Sequence, residues 1–276
     1  GWNLTVQQTS SLTVGGPVNV QRTFGTGAFG ITLLGSSTMS CTNLSVQGTG
    51  PGLYEGYVRN EIATNTLTVS GNLTIQPGGL LDLQGAGAGG TLRLAGNWTN
   101  NSDVLAFDDP FSIVLFNGAG PQSVTTSGFT EVYNRMHVSK ASNDVTLNAP
   151  IVVTTNLDLV QGRLFSDATN LPNLLDNASA TNMSDASFVH GPIDKEGNDN
   201  FIFPVGKGTQ YRYAGISAVS GLGGRFRCEY FPADPEATFG TPLEPTLDHV
   251  SNCEYWMIDR MAGATDATVR LSWDNN

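Results

Sequence analysis

Leu67-Thr-Val69, Leu73-Thr-Ile75, Leu81-Asp-Leu83 and Leu92-Arg-Leu94 repeat one pattern: an apolar residue, a polar one, an apolar one. Alternation with period two places both apolar side chains on one face of a short strand and the middle residue on the other. Ser70-Gly71-Asn72, Gln76-Pro-Gly-Gly79, a Gly/Ala run over residues 85–90 and Ala95-Gly-Asn97 separate the units. Such residues favour tight turns, so the chain changes direction every few residues. Strands this short are not stable as isolated hairpins. They are stable as successive rungs of a solenoid, each burying its inward side chains on the next.

The pattern extends outward in both directions. Leu4-Thr-Val6, Leu12-Thr-Val14, Val18-Asn-Val20, Ile31-Thr-Leu33 and Leu44-Ser-Val46 precede it. It lapses over residues 48–60, which read as a longer loop. After the interruption Phe107-Asp-Asp-Pro110 it resumes at Ile113–Phe116, Val145–Leu147, Ile151-Val-Val153 and Leu157-Asp-Leu159. At roughly 20–25 residues per rung, residues 1–190 make about seven to nine rungs.

Near His190 the character changes. Residues 190–199 are polar and turn-prone and read as a linker. Residues 200–276 carry longer, more aromatic strands, such as Phe201-Ile-Phe203, Phe226-Arg-Cys-Glu-Tyr230 and Tyr255-Trp-Met257, with longer loops between them. The expected fold is therefore all-β: a parallel β-helix (β-solenoid) over 1–189, a linker over 190–199, and a β-sandwich or jelly-roll-like module over 200–276, truncated at its C-terminal end.

Composition agrees with an exported β protein. The 276 residues hold 13 Lys+Arg against 24 Asp+Glu, a net charge of −11, which disfavours a nucleic-acid or anionic-membrane partner. Only 13% of residues are charged, about half the usual share, so Thr, Ser, Asn and Gln supply the polarity. No apolar run is long enough to span a bilayer, and the first residues lack the pattern of a signal peptide. With no initial Met, the chain reads as a fragment of something longer.

Phe116-Asn-Gly-Ala-Gly-Pro-Gln-Ser-Val124, Val132-Tyr-Asn-Arg-Met-His-Val138 and Thr155-Asn-Leu-Asp-Leu-Val-Gln-Gly-Arg-Leu164 are followed by Phe188-Val-His-Gly-Pro-Ile-Asp-Lys-Glu-Gly197, Phe203-Pro-Val-Gly206 and Cys253-Glu-Tyr-Trp-Met-Ile-Asp-Arg260. Together, over residues 110–276, they resemble the repeats of large secreted cell-surface β-helix proteins of Bacteroidota. The resemblance implies an adhesin-like surface protein exported by type IX secretion, with its sorting domain outside this chain. That family carries no settled activity, so the resemblance names no ligand.

Chemistry-bearing residues are sparse. Asp108-Asp109 is the one adjacent carboxylate pair weighed for acid–base work, and its Pro110 neighbour reads better as a turn. Asp82 and Asp158 hold outward triplet positions several rungs apart. His137, His190 and His249 show no metal-ligand spacing, and no catalytic residue is assigned. No cofactor is expected. Calcium is the one cation considered, at Asp194, Asn198 and Asp199, although the run lacks EF-hand spacing. Tyr54, Tyr57 and Trp98 are the candidate glycan-stacking aromatics. Outward Thr5, Thr13, Thr32, Thr68, Thr74 and Thr146 could form an ice-binding row, but Thr is a good strand former and their spacing is uneven.

Cys228 and Cys253 each precede Glu-Tyr on a strand-like segment, so a disulfide between them is expected in an oxidising environment. Closing that loop of about 25 residues would contribute roughly 3 kcal/mol. Cys41 is expected to stay a free, buried thiol. The sequence thus describes a non-catalytic structural or adhesive stalk at the cell surface. Its partners would be an extracellular polymer or glycan and neighbouring segments of the same long protein. The alternative is a β-helical carbohydrate-active enzyme or glycan-binding module, recognisable by acids and aromatics lining one face.

Overall fold

The structure, a computed structural model, describes residues 3–22, 28–50, 55–60, 64–83, 89–108, 111–221, 223–240 and 250–272. The chain winds through three parallel sheets in turn. Sheet A stacks Asn3–Val6, Phe29–Leu33, Gly56–Asn60, Gly79–Asp82 and Phe107–Asp108. Sheet B opens with Ser11–Thr13, Thr38–Cys41, Thr66–Val69, Thr91–Leu94 and Ile113–Phe116. Sheet C runs from Val18–Gln21 to Val189–His190 in eight strands. One pass through the three faces is one rung, and the solenoid is as expected.

Side-chain period two explains why the rungs stack. Met39, Leu67, Leu92, Val114, Met136 and Leu157 are in register on successive strands of sheet B, and all are buried. Each inward residue therefore meets its counterpart one rung away and no polar side chain interrupts the row. Rungs are not uniform: the step from Ser11 to Thr38 takes 27 residues, and that from Thr91 to Ile113 takes 22. Farther on, the 9-residue Glu131–Ser139 and the 11-residue Ile151–Gln161 replace two short strands each, with a bulge after Tyr133. The bulge lets one strand bend around a corner that earlier rungs turn with a loop.

Between sheets B and C the turn is held by an asparagine ladder. Asn43 Oδ1 accepts the backbone N–H of Asn72 (2.7 Å), Asn72 Oδ1 that of Asn97 (2.8 Å), and Asn97 Oδ1 that of Ser123 (2.9 Å). Glycine precedes two of these asparagines because the stacked turns touch: a Cβ at Gly96 would collide with the Gly71 carbonyl.

Residues 48–60 are not wholly a loop, since Gly56–Asn60 is the third strand of sheet A. Nor are residues 190–199 a linker. Val189–His190 closes sheet C against Leu164–Phe165, and Ile193–Glu196 pairs parallel with Pro172–Leu174. Arg225–Phe231 then pairs antiparallel with Ile193–Glu196, and Tyr255–Ala262 pairs with it in turn. Phe201–Phe203, Ala214–Ser217 and Thr268–Leu271 form a small antiparallel sheet. Phe203, Phe226 and Cys228 belong to the same apolar core as Leu33 and Leu174. The C-terminal region is thus continuous with the solenoid core rather than a separate sandwich. A solenoid that stopped at Glu196 would leave an apolar row and a strand edge in water, and the reversed strands cover both.

The expected disulfide is absent: Cys228 and Cys253 are free thiols, the first buried and the second exposed. Register explains it. Cys228 sits opposite Ile258, and Tyr255 already opposes Phe231. Cys253 lies five residues before Ile258, about 17 Å along the strand from the position a bridge would need. The shared Glu-Tyr motif does not set the register. Cys41 is free and buried, as expected.

Candidate functional site

The outward face of sheet B brings the most chemistry together. Strand alternation leaves two outward columns. One runs Thr13, Ser40, Thr68, Arg93, Leu115, His137, Asp158, Thr181. The other runs Ser11, Thr38, Thr66, Thr91, Ile113, Arg135, Asn156, Ser179. The six threonines considered for an ice-binding row do not share a face: Thr5 and Thr32 lie on sheet A, Thr13 and Thr68 on sheet B, and Thr74 and Thr146 on sheet C. Within the two columns of sheet B the hydroxyls bond along the axis: Thr38 donates to Ser11 Oγ (2.9 Å) and Ser40 to Thr13 Oγ1 (3.4 Å).

Toward the C-terminal end the columns become ionisable. His137 Nδ1 lies 3.7 Å from Asp158 Oδ2 on the adjacent strand. Asp158 Oδ1 accepts from Thr181 Oγ1 (2.8 Å) and Asn182 Nδ2 (2.6 Å), which fixes the carboxylate. Asn156 Nδ2 donates to Ser179 Oγ (3.0 Å) and Thr181 Oγ1 (3.1 Å). Burial lowers the His137 pKa below the usual imidazole value, with Arg135 acting the same way and Asp158 opposing both. A neutral imidazole steadied by a carboxylate can exchange a proton with a bound molecule. The sequence hid this pair because 21 residues separate its members; only rung length makes them neighbours.

The remaining candidates are dispersed. Asp82 lies on sheet A, paired to Arg59 at 2.7 Å. Asp108 is a strand residue in register with Asp82, and Asp109 lies outside the described residues, as do Tyr54 and His249. His190 stacks on Phe165 with ring centroids 4.4 Å apart, an outward pair on sheet C.

Trp98 is no stacking platform. It is 0% exposed, wedged edge-on against Phe107 (4.7 Å) and Tyr133 (5.4 Å). The first residue of its strand points inward, and the large ring fills the core where the solenoid changes shape. Tyr57 does point outward and is half-buried. Its ring lies against Gly30, where a Cβ would collide with it, and the Arg59 guanidinium sits 5.2 Å from its centroid.

The calcium candidates are occupied by the chain's own cations. Asp194 is buried and takes a two-pronged contact from Arg227 (2.7 and 3.0 Å). Asp199 takes the ammonium of buried Lys195 at 2.9 Å, and Asn198 is exposed beside them. Both carboxylates are thus already engaged by a guanidinium or an ammonium of the chain itself. Among the described residues no three His, Cys, Asp or Glu cluster for a metal.

Buried polar groups unforeseen in the sequence lie inside the solenoid. Glu131 is 0% exposed and receives Trp98 Nε1 (2.9 Å) and Asn100 Nδ2 (3.0 Å) on one carboxylate oxygen. Burial pushes its pKa up to about 7. Lys140, also 0% exposed, donates to the carbonyls of Gly118 (2.7 Å) and Gly120 (2.9 Å) and to Gln122 Oε1 (2.6 Å). Lys140 secures an irregular turn, and Glu131 ties two side chains of the strand Trp98–Asn100 inside the core. Comparison of the chain with protein-family models, with curated proteins and with solved structures finds no match.

Proposed function

We propose that this chain is a rigid β-helical stalk segment of a large secreted cell-surface protein, structural and adhesive rather than catalytic. One observation carries the reading. Outward polar side chains bond along the solenoid axis, tying rung to rung: Asn72 to Asn43, Thr38 to Ser11, Thr181 to Asp158. Such ties add to a continuous apolar core and stiffen the rod along its length. The resemblance over residues 110–276 supports surface display by type IX export, with neighbouring segments of the same protein as partners.

Turnover assays on plant, algal and bacterial glycans test the non-catalytic part. No hydrolysis or elimination is expected. Turnover that disappears in His137→Gln or Asp158→Asn would replace the stalk with an enzyme. Protease shaving of intact source cells tests display, and release of this segment is expected.

A further inference from the structure

The chain has 13 Lys and Arg residues in a protein of net charge −11, and nearly all serve internal partners. Arg59 pairs with Asp82, Lys195 with Asp199, Lys207 with Glu229, and Arg227 with Asp194. Lys140 is buried on carbonyls, and Arg163 and Arg270 lie over aromatic rings. Among the described residues, Arg93 and Arg135 alone have no ion pair, hydrogen bond or ring contact, and both are exposed.

They share one face. Arg93 is in register with Leu115, and Arg135 with Ile113, on either side of the same strand of sheet B. Two rungs at ~4.8 Å and two residues at ~3.3 Å place their backbones roughly 12 Å apart along a diagonal. Between them Ile113 and Leu115 present half-exposed apolar side chains outward. Thr68 and Thr91 flank the strip on one side and Asn156 and His137 on the other, with Asp158 one strand farther on, its carboxylate held by Thr181, Asn182 and His137.

We propose that this face docks an acidic polysaccharide, with Arg93 and Arg135 each engaging a carboxylate or sulfate and Ile113 and Leu115 carrying the apolar face of the sugar between. Charge complementarity selects the occupant. A guanidinium binds planar oxyanions through paired N–H donors. Duplex DNA carries a charge every ~1.7 Å along its axis and demands a dense basic surface, which a strongly acidic protein repels. A sparsely charged chain of sugars matches two cations set well apart on a hydroxyl-rich face. The surface goes beyond the stalk reading, since a stalk needs no free cations.

The test is titration of the full chain with polygalacturonate, chondroitin sulfate, neutral dextran and duplex DNA, monitored by calorimetry. Arg93→Gln, Arg135→Gln and the double variant are compared with Arg59→Gln, which alters sheet A. Binding of an acidic glycan is expected, weakened by salt and reduced at least about tenfold in the double variant at unchanged Tm. Arg59→Gln should bind like the parent. Four results would overturn the proposal: no acidic glycan bound, dextran bound equally, DNA bound as tightly, or a double variant that binds like the parent. None of them bears on catalysis or display, so this surface and the stalk reading fail separately.

Discussion

Trp98 donates its indole N–H to Glu131 at 2.9 Å inside the solenoid, and Asn100 donates to the same oxygen at 3.0 Å. The other oxygen of Glu131 has no hydrogen-bond partner among the described residues. A carboxylate here loses its hydration, and the neutral donors it gains are too few to offset a buried charge. Its pKa therefore rises from 4.5 to about 7. In the unfolded chain the group ionises near its ordinary value. Stability from the protonated form is then complete below about pH 4.5 and lost as pH rises through 7, by about 3 kcal/mol. Glu131→Gln keeps an acceptor for both donors and removes the charge. Its Tm should exceed the parent's at pH 8 and match it near pH 4.5, measured by differential scanning calorimetry.

Lys140 should be costly to replace. Lys140→Met fills similar volume but leaves the Gly118 and Gly120 carbonyls and Gln122 Oε1 without their donor. A loss of roughly 3 kcal/mol or more is expected in urea unfolding. A change below 1 kcal/mol would mean water replaces the ammonium.

Leu92 tests the core row. It is 0% exposed between Leu67 and Val114. Leu92→Ala should destabilise by about 2–5 kcal/mol, and Leu92→Asp should prevent rung stacking altogether. Loss of the cooperative thermal transition in Leu92→Asp would register this.

Thiol reactivity distinguishes the free cysteines from a bridge. Native protein should react with maleimide at Cys253 alone, because Cys41 and Cys228 are buried. Burial raises both of their pKa values, that of Cys41 to about 11. Denatured protein should react at all three sites without reductant, counted by intact mass.

Continuity of the core makes a further prediction. A chain ending at residue 199 loses the strands that cover Ile193–Glu196. It should melt well below the parent or aggregate, and residues 200–272 alone should give no cooperative transition. Independent folding of both pieces would restore a two-domain description.

The amino-acid sequence by itself determined the rungs. An apolar-polar-apolar triplet between Gly- and Asn-rich turns admits one economical structure, since inward rows such as Leu67 to Leu92 can be buried only by stacking. It also determined that Thr, Ser and Asn, rather than charged groups, cover the outside. Tertiary structure alone decided which outward residues are neighbours. Rung length varies from 19 to 29 residues, so His137 with Asp158, or Arg93 with Arg135, cannot be read from spacing. It decided Trp98 as well: its triplet-like position is legible, but that its ring faces the core is not. Residues 190–199 look like a linker because Asp194 and Lys195 are charged. They are buried instead because Arg227 and Asp199 neutralise them, and those partners arrive from strand pairing and a turn that no local pattern announces. Local alternation fixes which way a side chain points; only the long-range register fixes what it meets.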